Sequence, residues 1–281
     1  MIVPMAPDMF SLLLISIPVG FVGSLTGLGG ASILIPIMVL FGIPVKEAIA
    51  SGMVGVIATS SGSAAAYVRE RIANVKIAMY LEMFTSVGAI VGATITTLIA
   101  PVYLYFFFAA FLMTSFLKLR GRPKTDRFSP ASGSRLSRRL ELKGTYFDEA
   151  RKEVVAYTAD RPLLGGLGMM VAGLAAGMLG IGAGAFKVTV QENILRLPSK
   201  VASTTSNFIV GMTALAGTSV YLFSGFLNLT LMAPMAIGTT LGAIAGGRVL
   251  NKLDDRILRS LFFCVVILLI VEMLYKGVAS W

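Results

Sequence analysis

The sequence predicts an all-α integral membrane protein made of two inverted-topology repeats of about five helical segments each. Short, Gly-interrupted helices are expected to meet near the midplane. Three observations predict this. Of the 281 residues, 56% are hydrophobic and only 14% charged, and the mean hydropathy is +0.84; apolar residues including glycine make up about 45–50% of a soluble domain. The apolar residues gather in two blocks, 8–118 and 162–276, on either side of a basic stretch. Glycine clusters interrupt both blocks at matching places, "SLTGLGGASILIP" from Ser24 and "GMLGIGAGAF" from Gly177.

The apolar segments of the first block run over 8–26, 30–42, 47–67, 75–99 and 101–118. Those of the second run over 162–179, 184–197, 200–223, 229–249 and 256–276. A spanning helix needs about 20 apolar residues, so the chain has room for about ten. The second segment of each block falls short, because roughly 13 residues at 1.5 Å each cover about 20 Å of a core about 30 Å thick. The expected organisation is a first transmembrane repeat over 1–118, a connector over 119–161 and a second repeat over 162–281. In the connector, "LELKGTYFDEARKEVVAYTA" alternates enough to form a small β-hairpin; a plain solvated connector is the simpler alternative. No signal peptide is expected, since no basic residue or small-residue cleavage site frames the first apolar run.

The two blocks align. Gly27, Gly29 and Ala31 match Gly180, Gly182 and Gly184. After one inserted residue, Pro44, Lys46, Tyr67, Asn74, Gly88 and Gly92 match Pro198, Lys200, Tyr221, Asn228, Gly242 and Gly246. Charge shows how the halves are related. "VRERIANVK" carries Arg69, Arg71 and Lys76, whereas its counterpart "LFSGFLN" carries no basic residue. One loop later the pattern reverses: "LIAPVY" is uncharged and "GRVLNKLDDRILR" holds four basic residues. Positively charged loops stay cytoplasmic, so equivalent loops face opposite sides and the repeats are inverted. The expected protein is a multi-pass plasma-membrane protein with both termini outside and the connector cytoplasmic. Lys46 and Glu47 are the one discordant pair, and together they are neutral.

The same residues exclude several functions. The net charge of +10 lies in loops, where it reads as an orientation signal and not as a nucleic-acid footprint. Histidine is absent and Cys264, in an apolar run, is the single cysteine, so the usual base and nucleophile of an enzyme are missing. "GLGGAS" and "GIGAGA" lie in no βαβ unit, so neither is a nucleotide fingerprint. No cofactor is expected. The expected partners are the lipid bilayer and a small anionic solute.

A break in a membrane helix is tolerated where it is buried or lines a cavity. The helix that restarts there points free N–H groups and the positive end of its dipole into the gap, and glycine lets an anion come close. Two such restarts related by a pseudo-twofold axis would form an uncharged, electropositive cradle for a small oxyanion or carboxylate. The alternative is that the glycines only permit close helix packing. Thr205, Ser206 and Asn207 in "KVASTTSNFIVG", with Ser51 in the first half, offer donors to an anion, or else hydrogen bonds between helices. Lys187 lies one turn after the second break, where a lysine costs about 2.5–3.5 kcal/mol on insertion scales. A bound anion would offset that cost, and snorkelling to the interface is the alternative. Glu82 and Glu272 are candidates for carrying a proton, although neither shows a partner in the sequence.

At these motifs the chain resembles the TauE/SafE family of sulfite and organosulfonate exporters. The resemblance rests on "GLGGASILIPIMVLFGIPVKEAIASG" and "GIGAGAFKVTVQENILRLPSKVASTTSNF" and covers nearly the whole chain apart from 119–161. It implies a secondary transporter of small sulfur-containing anions such as sulfite, thiosulfate or organosulfonates, acting by alternating access. Carried over, the candidate site is Gly27, Gly29, Gly30, Gly180, Gly182, Gly184, Thr205 and Ser206, to which Ser51, Lys187 and Asn207 are added from the residues themselves. Ala31 and Ala183 each replace a glycine of the pattern, Gly52 a serine and Thr189 a proline. A transporter of carboxylates or other small anions remains open, as does, further off, a membrane-embedded sulfur-transfer enzyme.

Overall fold

Runs of apolar sequence punctuated by Gly, Pro and charge become helices, because a backbone without water must satisfy its own hydrogen bonds. The computed structural model describes residues 9–26, 30–69, 74–120, 134–148, 153–250, 267 and 270–279. The first half holds α1 (Met9–Thr26), α2 (Ala31–Leu40), α3 (Val45–Arg69), α4 (Val75–Leu98) and α5 (Pro101–Arg120). The connector holds α6 (Arg135–Arg139), β1 (Lys143–Asp148) and β2 (Glu153–Thr158). The second half holds α7 (Pro162–Leu179), α8 (Gly184–Asn193), α9 (Ser199–Phe223) and α10 (Leu229–Leu250), and 270–279 is helical. Among the described residues, Val75–Leu98, Pro162–Leu179 and Lys200–Phe223 are long and apolar enough to cross a membrane. As expected, α2 and α8 are short, at 10 residues each.

The packing occurs twice in the register of the sequence alignment. α1 lies along α10 as α7 lies along α4, and α10 touches α3 as α4 touches α9. A Cβ placed on Gly20 would lie 2.3 Å from the Thr239 carbonyl oxygen, and one on Gly173 would lie 2.1 Å from that of Thr85. Gly88 and Gly242 press in the same way on the carbonyls of Met170 and Ile17. Such approaches need glycine, because membrane helices gain from van der Waals contact that small residues permit. The helix starts match too: the Asn74 side chain accepts from the Ile77 N–H, and that of Asn228 from the Thr230 N–H.

The short helices end at equivalent turns. α2 closes with the Ile43 N–H on Met38 O and the Gly42 N–H on Val39 O, with Gly42 left-handed at φ 84°, a Schellman stop. At the matching place after α8, Arg196 takes φ 52° and its guanidinium lies 3.8 Å from Asp160. These two turns lie at opposite ends of α4. Lys46, beside the first, donates to Thr97 O at the end of α4 (2.9 Å) and sits over the Phe226 ring. Leu195, beside the second, accepts from the Asp160 N–H just after the hairpin. That hairpin meets the start of α4.

The connector does form a β-hairpin, with Lys143 opposite Thr158 and Asp148 opposite Glu153. It is docked on the helices. Asn74 Nδ2 donates to Lys143 O and to the Tyr157 hydroxyl, both at 3.1 Å. Leu142, Tyr157 and Ala159 join Ile77, Leu81, Leu195 and Val201 in a second buried cluster. Burial pushes the Tyr157 phenol up, against the pull of its hydrogen bond to Asn74. At the rim, Lys76 pairs with Glu141. The hydrogen bond from Lys76, followed by its charge, holds the Glu141 carboxyl below its usual range, so this exposed contact is intact at neutral pH and is lost as pH falls through that lowered value.

Candidate functional site

After the two breaks the short helices start with equivalent first-turn hydrogen bonds, although Gly30 caps α2 in the right-handed region (φ −56°) and Ala183 caps α8 in the left-handed one (φ 49°). After the first, the Ile33 and Leu34 N–H groups donate to Gly30 O; after the second, the Phe186 and Lys187 N–H groups donate to Ala183 O. The amides ahead of them are those a helix start presents to whatever fills the break. At the second break Gly180 ends α7 in the left-handed region (φ 68°), and Ala183 caps α8 there as well (φ 49°). The alanine that replaces a family glycine therefore holds a conformation costing about 1–3 kcal/mol. The first residue of each short helix touches the following long helix at an equivalent position. The Ala31 Cβ lies 3.5 Å from where a Gly52 Cβ would sit, and Gly184 O accepts from the Ser206 hydroxyl (3.3 Å).

The predicted site residues separate into groups. Gly27 and Gly29 lie outside the described residues, while Gly30 caps α2. Gly180 packs on Ile49 O and Ile35, and Gly182 on Val210 and Val56, so the second break leans on α2, α3 and α9. Ser51 is buried, and its hydroxyl has no hydrogen-bond partner among the described residues. The buried Thr205 hydroxyl accepts from the Asn74 N–H (3.3 Å), which ties it to the start of α4. Asn207 is half-buried.

Lys187 does not snorkel. It is fully buried, and its ammonium donates to the Thr213 hydroxyl at 2.7 Å. Thr213 in turn donates to Glu82 Oε2 at 3.0 Å. The Glu82 carboxylate also accepts from Thr85 (2.8 Å) and from Ser86. The lysine and the acid, left unconnected in the sequence, thus share one buried chain across α8, α9 and α4. Both helix contacts between α4 and α9, Asn74 with Thr205 and Glu82 with Thr213, are eight residues apart on each helix. The helices therefore run parallel, and the chain of polar groups lies about 12 Å further in than Asn74. Helical side chains point toward the N-terminus, so Lys187 leans from the first turns of α8 toward the break.

Sequence reasoning did not pick out Thr213, Thr85, Ser86 or Gln191. Gln191, one turn after Lys187 on the same face of α8, is buried with both amide atoms unpartnered among the described residues. Glu272 is far from this group in sequence, in the 270–279 helix, and its carboxylate oxygens are buried without a hydrogen-bond partner among the described residues. A cavity of about 270 Å³ lies between α5, α7 and α8, walled by residues such as Phe107, Phe111, Leu174 and Phe186. Its apolar walls give an anion nothing to bind.

The model of the family described as "Sulfite exporter TauE/SafE" matches residues 12–273. "Probable membrane transporter protein YunE" of Bacillus subtilis is 23% identical over 278 residues, covering 96% of this chain and 98% of the relative. "Probable membrane transporter protein YdhB" of the same organism is 26% identical over 252 residues, covering 89% and 92%. No solved structure gives a significant match.

Proposed function

Since this chain belongs to the sulfite exporter TauE/SafE family, we propose that it is a secondary transporter of small sulfur-containing anions: sulfite, thiosulfate or an organosulfonate. Membership of that family and the kinship with membrane transporters make it a membrane transporter; the substrate and mechanism are our reading. One observation carries it: two short helices at equivalent places, each starting at a glycine-bearing break, the second with a buried lysine in its first turns. Helix starts and a buried cation both favour negative charge.

Alternating access follows if the halves, 1–118 and 162–281, are inverted about the breaks. The position of equivalent turns at opposite ends of α4 supports inversion. Sidedness follows from charge. Lys76, Arg135, Arg138, Arg139, Lys143, Arg161 and Arg196 sit at the hairpin end, which is then cytoplasmic. With Cys264 replaced by serine, a cysteine at the exposed Thr145 should react with an impermeant maleimide only after the membrane is opened. One at the exposed Ser224 should react from outside in intact cells, and the reverse pattern would invert the proposed orientation.

Proteoliposomes carrying labelled sulfite or thiosulfate should show saturable flux that small carboxylates do not compete away; flux of carboxylates alone would refute the substrate class. The same assay probes the break. A Cβ on Gly182 would lie 2.5 Å from Val210 Cγ1, and valine is too stiff to turn aside. Gly182→Ala should cut flux by about tenfold or more, in line with an overpacking strain of about 1–3 kcal/mol, and adding Val210→Ala should restore most of it.

A further inference from the structure

We propose that Lys187, Thr213 and Glu82 form a proton-coupling site, in which Glu82, linked to Lys187 through Thr213, is the internal counter-charge that a transported anion replaces, and takes up one proton each time it is replaced. This rests on the anion-transport reading above and adds the ion that drives it.

Packing does not ask for these groups. Leu34 in the first half answers Lys187, and Ala236 in the second half answers Glu82. Leu34 is buried in the apolar core. Thr59, which answers Thr213, bonds to the carbonyls of Gly55 and Val56 in its own helix. The same helix crossings are thus built once with leucine, alanine and hydroxyl residues and once with a buried cation and anion, and burying charge is unfavourable unless it is compensated.

Compensation is what makes the site a coupling device. With Lys187 charged and Glu82 ionised, the chain is neutral and closed through Thr213. A monovalent anion that takes Lys187 adds one negative charge to a dry interior. The carboxylate, stripped of its cation, restores neutrality by binding a proton from water on the side the anion entered. Hydronium gives up the proton and becomes water, Glu82–COO⁻ becomes Glu82–COOH, and one proton travels with one anion. Gln191, buried one turn after Lys187 with its amide atoms unpartnered among the described residues, leaves hydrogen-bonding capacity for the guest.

Other titratable groups on the packed elements are engaged elsewhere or set apart. α7 carries none from Pro162 to Leu179. On α4, Lys76 pairs with Glu141 and Tyr80 packs edge-on against Phe84. On α9, Lys200 stands at the start and the Tyr221 hydroxyl donates to Gly177 O. Glu192 on α8 is half-buried, and Lys46 and Glu47 lie at the start of α3, with Lys46 on Thr97 O.

The test uses the purified full chain with methanesulfonate, a monovalent anion that does not titrate near neutral pH, and thiosulfate as a second probe. Binding in weakly buffered solution should take up one proton per methanesulfonate, and Kd should rise about tenfold per pH unit wherever that proton is taken up. Glu82→Gln should abolish proton uptake and bind more tightly than the native chain because the internal competitor is gone. A carboxylate with a merely structural role predicts weaker binding instead. Anion binding without proton uptake by the native chain would overturn the coupling alone, as would proton uptake retained in Glu82→Gln. If neither probe binds the native chain, the transport reading falls and the coupling falls with it. Should Glu82→Gln fail to fold, the native proton count still decides.

Discussion

The double replacement of Lys187 by leucine and Glu82 by alanine is expected to give a folded protein that moves no anion. Each change copies what the other half of the chain holds at the equivalent position, Leu34 and Ala236. Lys187→Leu alone leaves the Glu82 carboxylate buried without its cation, and removing one partner of a buried pair costs about 3–5 kcal/mol. Adding Glu82→Ala removes the orphaned charge. The hydroxyls that served it keep other acceptors, Thr213 on Ile209 O (2.9 Å) and Thr85 on Leu81 O (3.2 Å). Thermal unfolding in detergent should show the double variant recovering most of the stability the single variant lost, while proteoliposome flux stays at background. A double variant that transports would remove Lys187 from the anion path. One no more stable than Lys187→Leu would mean the two groups are not energetically paired.

How much of this was legible in the sequence depends on whether the signal is local. Helix bounds were, because apolar runs stop where Gly, Pro or charge stops them: the expected 75–99, 162–179 and 200–223 became Val75–Leu98, Pro162–Leu179 and Ser199–Phe223. The short α2 and α8 were legible for the same reason. Lys46, discordant by charge, proved to donate to the C-terminal end of α4, where a cation is favoured. The link from Lys187 to Glu82 was not legible, since periodicity says nothing about which faces meet across more than a hundred residues. A local clue existed: Thr85 and Ser86 follow Glu82 by three and four residues, placing two hydroxyls where a helical carboxylate reaches them. Thr205 read from the sequence as either an anion donor or an interhelical bond, and its hydroxyl accepts from the Asn74 amide of another helix.

A leucine at Gly173 is expected to cost the protein its fold, and a leucine at Gly20 to do the same. Even the first carbon of the new side chain would lie 2.1 Å from the Thr85 carbonyl oxygen at Gly173, and 2.3 Å from that of Thr239 at Gly20. The obstacle is helix backbone in both cases, so no rotamer change relieves it and the helices must separate. In a bilayer, that separation loses the close van der Waals contact on which membrane helices depend. Overpacking in general costs about 1–3 kcal/mol; a clash with backbone along a whole helix pair belongs at or above the upper end. Gly225 is the control. A Cβ there meets nothing within 4 Å, although φ is 73°, so Gly225→Ala should cost only the roughly 1–2 kcal/mol of a left-handed alanine. Monodisperse yield in detergent and the thermal midpoint measure all three. Normal midpoints for Gly173→Leu would contradict the α4–α7 contact. A protein that tolerates leucine at Gly20 but not at Gly173 would mean that the two halves are not packed alike, and the alternating-access argument, which needs two equivalent halves, would lose its structural basis.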